Sequence, residues 1–318
     1  MSEPARAPGM RYNGRMHGDG DGWVVCERAH RHWGRYGAAG LLVRHRGPDD
    51  DAVLMQHRAD WSHHGGTWGI PGGARDSTEH PVHTALRETE EEAGVQPEEV
   101  RVRGLRYDDH GGWSYTTVLA DADHRLDARP TGGESVDVRW TPVEEVTALP
   151  LHPGFAESWP ALRDAGRPLR LIVDAANVVG SRPDGWWKDR AAAAARLRDK
   201  LRVLAAQGLS TAALPQEIAP TSVDVVYAEI ALVVEGAARQ LDGRSDDAQV
   251  QVIPARSHGD DEILAQAAAY EGPTLVVTAD RELRARVHGQ QAGTVIGPRW
   301  LLDRLDSLDP LDRTEGDR

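Results

Sequence analysis

The sequence holds one cysteine, Cys26, among 318 residues. A single thiol forms no disulfide within the chain, so buried apolar surface must hold the fold, and the pattern suits a reducing, cytoplasmic compartment. Positive charge is also short: 37 Lys and Arg stand against 50 Asp and Glu, a formal net charge of -13. Only two of those cations are lysines, Lys188 and Lys200. Bulk attraction to nucleic-acid phosphate is thereby excluded as a binding force. Clustered carboxylates suit divalent cations instead. No run of about 18 apolar residues occurs, so no membrane-spanning helix is expected. A phosphate loop ending in Gly-Lys-Ser/Thr is absent, as is a Gly-x-Ser-x-Gly nucleophile elbow.

What is present is enough apolar sequence for real cores. Hydrophobic residues make up 40% and charged residues 27%, and the length suits two domains. Residues 1–21 are rich in Gly, Arg and Pro without the apolar stretch of a signal peptide, and are expected to be a disordered leader. Residues 306–318 are expected to be a flexible tail. Cys26, His30 and His32 are spaced like metal ligands. Three ligands without a fourth nearby make a poor zinc site, so this segment reads as a short strand followed by a polar turn.

Strand-like apolar runs fall at residues 38–43, 52–56, 101–107, 114–119 and 135–140, with a strong helical pattern at 81–93 and a helix at 154–163. A polar stretch with Gly and Pro at 164–168 is a plausible linker. Beyond it, strands at 171–173, 223–234, 250–253 and 274–278 alternate with helices at 189–206, 260–270 and 281–287. That alternation predicts a parallel sheet covered on both faces. The domain boundaries are thus 22–165 and 169–305, and each half has its own apolar pattern, so the halves are expected to be separable.

The helix at 81–93 carries the first chemistry. Pro81 suits a helix start, and Gly94 suits the left-handed position just past its end. Val82, Ala85, Leu86, Thr89 and Ala93 share one stripe. Glu88, Glu91 and Glu92 stand at i, i+3 and i+4 on the other side, so their carboxylates converge. Like charges this close cost about a few tenths of a kcal/mol per pair. A hard divalent cation that takes oxygen ligands resolves the conflict. Arg87, one turn before Glu91, can hold that carboxylate, and Gly72 and Gly73 allow close backbone approach.

The segment from Gly73 through Glu79 and from Arg87 to Val95 resembles the Nudix box at nearly every fixed position, with Thr89 where the family usually has an aliphatic residue. The resemblance covers roughly residues 22–165. It implies an α/β/α sandwich with a mixed sheet and hydrolysis of a diphosphate linkage in a nucleoside diphosphate derivative or (d)NTP, with Mg2+ or Mn2+ as cofactor. Glu88, Glu91 and Glu92 would bind metal or activate water, aided by the Gly72 carbonyl and supported by Glu79 and Arg87. A late glutamate completes the metal site in many relatives, and Glu134 is the candidate here.

The second half places acids after its strands: Asp174 with Asn177, Glu235, then Asp260 and Asp261 opening a helix, then Asp280. In a parallel sheet these would gather at the carboxyl edge, where a pair of metals suits phosphodiester hydrolysis. Capping of turns by Asp174 and Asp280 is the alternative. This half resembles the NYN branch of PIN-like nucleases over roughly residues 169–305, which implies a second α/β/α domain, with a mainly parallel sheet, that cuts or binds RNA. Glu235 stands where such domains often carry Asp. Trp186, Trp187, Lys188 and Arg190 could stack bases and contact phosphates, or equally serve as packing aromatics and a solvated basic pair. Two rival readings remain: a PIN-like ribonuclease governed by a nucleotide-sensing Nudix half, and a non-enzymatic metabolite-binding regulator.

Overall fold

The computed structural model describes residues 18–48, 50–182, 189–241 and 250–308. Trp186, Trp187, Lys188, most of the expected leader and most of the expected tail lie outside the described residues.

In chain order the first half contains strands β1 (Trp23–Val25), β2 (Arg31–Trp33), β3 (Ala38–Arg46), β4 (Asp51–Arg58), β5 (Trp68–Gly69) and β6 (Gly72–Ala74). Helix α1 (Pro81–Ala93) follows, then β7 (Arg101–Asp109), β8 (Ser114–Ala122), β9 (Ser135–Pro142) and helix α2 (Pro153–Arg163). The second half runs β10 (Arg170–Asp174), α3 (Ala175–Gly180), α4 (Arg190–Gln207), β11 (Leu209–Ser210), β12 (Val225–Val226), β13 (Glu229–Val234) and β14 (Val250–Pro254). It ends with α5 (Gly259–Ala268), β15 (Thr274–Val277), α6 (Arg281–Gly289), β16 (Thr294–Ile296) and α7 (Pro298–Ser307).

The first sheet is mixed. β3 pairs in parallel with β8 and antiparallel with β4 and β6, while β9 pairs antiparallel with β4. Strands β3 and β4 are apolar at consecutive positions because both of their faces are covered. Leu41, Val43 and Leu54 point to the α1 side with Ala85 and Ala93, and Leu42, Val53 and Met55 point to the α2 side with Phe155, Trp159 and Leu162.

The second sheet is parallel throughout, in the order β14-β13-β10-β15-β16. One face carries Leu171 and Val173 against α4, and the other carries Ile172 and Val276 against α5 and α6.

Residues 223–234, expected as one strand, form two. β12 leaves the second half and pairs antiparallel with β7, extending the first sheet, and β11 pairs with β12 outside it. After Tyr227 and Ala228 the chain re-enters the second sheet as β13. The break has a packing reason: Val226 joins the large core, whereas Tyr227 joins the α1-side core of the first half. That large core runs without interruption from Val53 and Trp159 to Leu171 and Leu232. Arg103 adds a charge tie, ion-paired with Asp121 at 3.3 Å and Glu229 at 2.9 Å. The polar stretch at 164–168 therefore marks a change of sheet, and the chain crosses back over it. No sequence signal marks β5, β6, β11, α3, β16 or α7, which are short or lie at the end of the alternation, and the short strand and turn expected around Cys26 prove to be a two-stranded hairpin, β1–β2.

Candidate functional site

Helix α1 sets out the first constellation. His80 caps its start, Nδ1 accepting from the Val82 N–H at 3.3 Å, and Pro81 occupies the first turn. Gly94 ends it at φ 72°, a left-handed conformation that glycine adopts without strain, and its N–H donates to the Glu90 carbonyl. Thr89 is fully buried, and its hydroxyl donates to the Ala85 carbonyl at 2.7 Å, so the polar group is satisfied.

Glu92 lies deeper than Glu88 and Glu91. It is 6% exposed, and its Oε2 accepts from the Gly72 N–H at 2.9 Å. The loop before the helix folds back onto it, and a Cβ on Gly73 would lie 2.5 Å from the Glu88 carboxyl carbon. A side chain there would push the end of the Glu88 side chain away from the loop. Desolvation, then repulsion from Glu88, pushes the Glu92 carboxyl up to about 8. Burial likewise lifts Glu88 to about 7 against the pull of Arg87, with Glu91 and Glu134 adding to the rise. The Glu91 side chain is 44% exposed.

Arg87 does not chiefly hold Glu91, which lies 4.0 Å away. Its Nε and Nη2 bond Glu79 at 3.0 and 2.9 Å, and its Nη1 bonds Glu88 at 2.6 Å. Nη2 also reaches the Ala74 carbonyl, tying helix to loop. Burial raises the Glu79 carboxyl, but bonds from Arg87 and Thr84 more than offset this and hold it below the usual range. Glu134 sits in the β8–β9 loop. That loop is pinned to the end of α1 by the Thr131 hydroxyl on the Glu91 carbonyl at 2.7 Å and the Ser135 hydroxyl on the Glu92 carbonyl at 3.1 Å.

Three further groups belong to this neighbourhood and left no sequence signal. Gln56 donates to the Ser135 hydroxyl at 2.8 Å and supports the charged form of Glu92, as does Arg58. Burial raises the Tyr115 hydroxyl, and the charges of Glu92 and Glu88 add to this, while Arg58 opposes it. All three lie on strands, where their apolar neighbours hide them.

The donor set fits a hard divalent cation. Two carboxylates held toward neutrality by burial, Glu92 also by Glu88 and Glu88 also by Glu91 and Glu134, are oxygens that a cation would stabilise in their charged form.

The second constellation gathers at the carboxyl edge of the parallel sheet. Asp174, Asn177, Glu235, Asp260 and Asp280 line one cleft of about 260 Å3. Asp174 accepts from the Asn177 N–H at 3.0 Å and from the Thr278 hydroxyl at 2.9 Å. Asn177 Oδ1 accepts from the Ala279 N–H at 2.9 Å, and Asp280 caps α6 through the Leu283 N–H at 2.8 Å. Capping and convergence therefore coexist. Desolvation raises Asp174, and Asp260 and Glu235 add repulsion. Asp260 is raised by burial and then by Asp280. Asp261 stands apart: it is not among the cleft's lining residues, and it pairs with Arg286 at 2.5 Å.

A mixed sheet carrying this loop-and-helix arrangement defines an α/β domain with its candidate site where the loop meets α1. The family model described as the NUDIX domain matches residues 35–164. A Mycobacterium tuberculosis protein named "Putative 8-oxo-dGTP diphosphatase 3" is 55% identical over 167 residues, which is 50% of this chain and 76% of that protein. A Bifidobacterium longum nucleoside triphosphate pyrophosphatase/Nudix hydrolase fusion protein is 43% identical over 150 residues, 46% of this chain and 31% of that one. The crystal structure of a Nudix hydrolase from M. smegmatis, RenU, shares 50% identity over 46% of this chain and 94% of its own, with a TM-score of 0.44. The chain belongs to the Nudix family.

Proposed function

We propose that the N-terminal half hydrolyses a diphosphate linkage in a nucleoside triphosphate or nucleoside diphosphate derivative, with Mg2+ or Mn2+ as cofactor. The placement of Glu92 and Glu88 against the Gly72–Gly73 backbone, with the Glu91 charge near enough to raise Glu88, carries this reading. Glu88, Glu91 and Glu92 would hold the cation, with Gly72 and Glu134 beside them. The cation would supply neutralisation of the charge that develops on the phosphate oxygens.

The chain's own groups do the rest. A water oxygen attacks phosphorus, the anhydride P–O bond breaks, and the phosphate leaves with the bond's electron pair. One convergent glutamate takes the proton of the attacking water. Glu91, the most exposed of the three, is the one we assign to this role. Arg87 fixes Glu79 and Glu88 so that the carboxylates need no reorganisation during the reaction. The name of the M. tuberculosis relative makes an oxidised purine nucleoside triphosphate the first substrate to try. A panel of nucleotides with magnesium, read by phosphate or pyrophosphate release, tests the reading. Metal-dependent turnover of at least one substrate supports it, and no turnover across the panel sinks it.

A second reading concerns the cleft at the edge of the parallel sheet. Its five gathered side chains favour a metal-dependent phosphodiesterase that cuts RNA, as the resemblance to PIN-like domains implies. The corresponding test is RNA cleavage by the wild type against Asp174→Asn. Loss of cleavage in the variant, with nucleotide hydrolysis intact, supports the reading. An absence of cleavage by the wild type ends it.

A further inference from the structure

Outside both constellations, two hairpins meet at the N-terminal end of the described chain. One is β1–β2, whose turn holds Cys26 and His30. The other is β7–β8, whose turn holds His110. We propose that Cys26, His30, His32 and His110 form a structural zinc site that staples these hairpins together. The Cys26 Sγ and one ring nitrogen from each histidine lie within 4.8 Å of one another. A tetrahedral zinc ion, with bonds of about 2.0–2.3 Å, needs ligand atoms roughly 3.3–3.7 Å apart. The four atoms would therefore close in by about an ångström.

The unsatisfied atoms point the same way. His32 Nε2 and His110 Nδ1 are buried with no hydrogen-bond partner. Buried ring nitrogens ordinarily find one, so two such atoms in one cluster call for a ligand. The tautomer of His110 is fixed as a metal ligand requires. Its Nε2 lies 3.1 Å from Asp108 Oδ2, and an ionised carboxylate only accepts, so the hydrogen sits on Nε2 and Nδ1 keeps a bare lone pair. His32 is held flat against Trp113, with ring centroids 3.8 Å apart at 8°.

The backbone brings the ligands together. The Cys26 N–H donates to the His30 carbonyl at 3.0 Å, and the Glu27 N–H donates to the Gly111 carbonyl at 2.9 Å, joining one turn to the other. One thiol and three imidazoles form a borderline-soft donor set, which favours zinc over magnesium. Binding releases one proton, from the Cys26 thiol. Zinc, the thiolate and the Asp108 carboxylate then sum to zero charge. All four positions are filled by protein, the arrangement of a structural ion with no place for substrate. The staple also bears on the Nudix half. The segment leading into β1 lies against the loop before α1, where the Gly20 N–H donates to Asp76 Oδ1 at 2.9 Å and the Ser77 N–H donates to Asp19 at 2.9 Å.

The test is metal content of the untagged full chain, loaded with zinc and then dialysed. About one zinc per chain is expected in the wild type. Cys26→Ser and His110→Ala should each lose most of it. Cobalt(II) substituted into the wild type should give a tetrahedral ligand-field spectrum with a thiolate charge-transfer band that Cys26→Ser lacks. If either variant fails to fold, the wild-type stoichiometry and cobalt spectrum decide. A wild type that retains under about a tenth of an equivalent overturns the proposal. So does a cobalt spectrum without thiolate character, or zinc that both variants keep in full.

Discussion

Arg87 grips both oxygens of Glu79, through Nε at 3.0 Å and Nη2 at 2.9 Å, while its Nη1 reaches Glu88 at 2.6 Å. The guanidinium is thus a fork between a supporting carboxylate and one of the convergent ones. A lysine keeps the charge but not the fork. Arg87→Lys should therefore lower kcat roughly 10- to 100-fold, as loss of an orienting partner does. Unchanged steady-state kinetics of Arg87→Lys on a confirmed substrate would show that the fork does not position the site.

Glu92 leads to a second expectation. Its carboxylate is buried and accepts the Gly72 N–H. Glu92→Gln keeps the volume, and its carbonyl oxygen can still accept the Gly72 N–H, but the charge is lost and the second oxygen becomes an NH2 that cannot bind metal. Magnesium affinity, followed by calorimetry with the wild type as reference, should fall at least about tenfold. Equal affinity would remove Glu92 from the ligand set.

The shared core sets the behaviour of a truncated chain. Ending the protein at residue 165 removes β11 and β12 from the β7 edge and strips Leu171, Leu201 and Leu232 from the large core. It also removes Glu229, the ion-pair partner of Arg103 at 2.9 Å. The fragment 1–165 should melt lower than the full chain by at least about 5 °C, since each lost kcal/mol shifts a small domain by that order. Matching melting temperatures in differential scanning calorimetry would mean that the halves are energetically independent.

Acid should weaken the fold through its histidines. Desolvation, reinforced by His64, Arg58 and His63, pushes His152 down to about 3. In the unfolded chain the same ring takes a proton near the ordinary histidine value of 6.5. Between those values the unfolded state binds a proton that the folded state refuses, so this stability is fully present above about pH 6.5 and declines as pH falls toward 3. His63 and His80 are lowered by burial in the same direction. Denaturant midpoints measured across that window should fall with pH, and less steeply in His152→Leu. An identical slope in the variant would assign the acid sensitivity to other groups.

Sequence periodicity made α1 and its caps legible, because Pro81, Gly94 and the carboxylate spacing are local signals. The depth of Glu92 was not legible. It depends on the Gly72–Gly73 strand folding back across the helix, a contact 20 residues away in the chain. Apolar runs likewise located β3, β4, β7, β8 and β9, yet read residues 223–234 as one strand, because the two sheets that divide them are both apolar. Cys26, His30 and His32 looked one ligand short until the fold brought His110 to them from the far hairpin. In the second half, the acids after β10, β13 and β15 reach one cleft, whereas Asp261, next to Asp260 in sequence, turns to Arg286.

The central claim is that the convergent glutamates of α1 drive hydrolysis, and Glu91→Gln tests it most directly. The substitution keeps shape and removes charge at the most exposed of the three. With magnesium, on the best nucleotide from the panel, turnover should fall about a thousandfold, equivalent to roughly 4 kcal/mol of transition-state stabilisation. A variant that turns over within about threefold of the wild type would contradict the account.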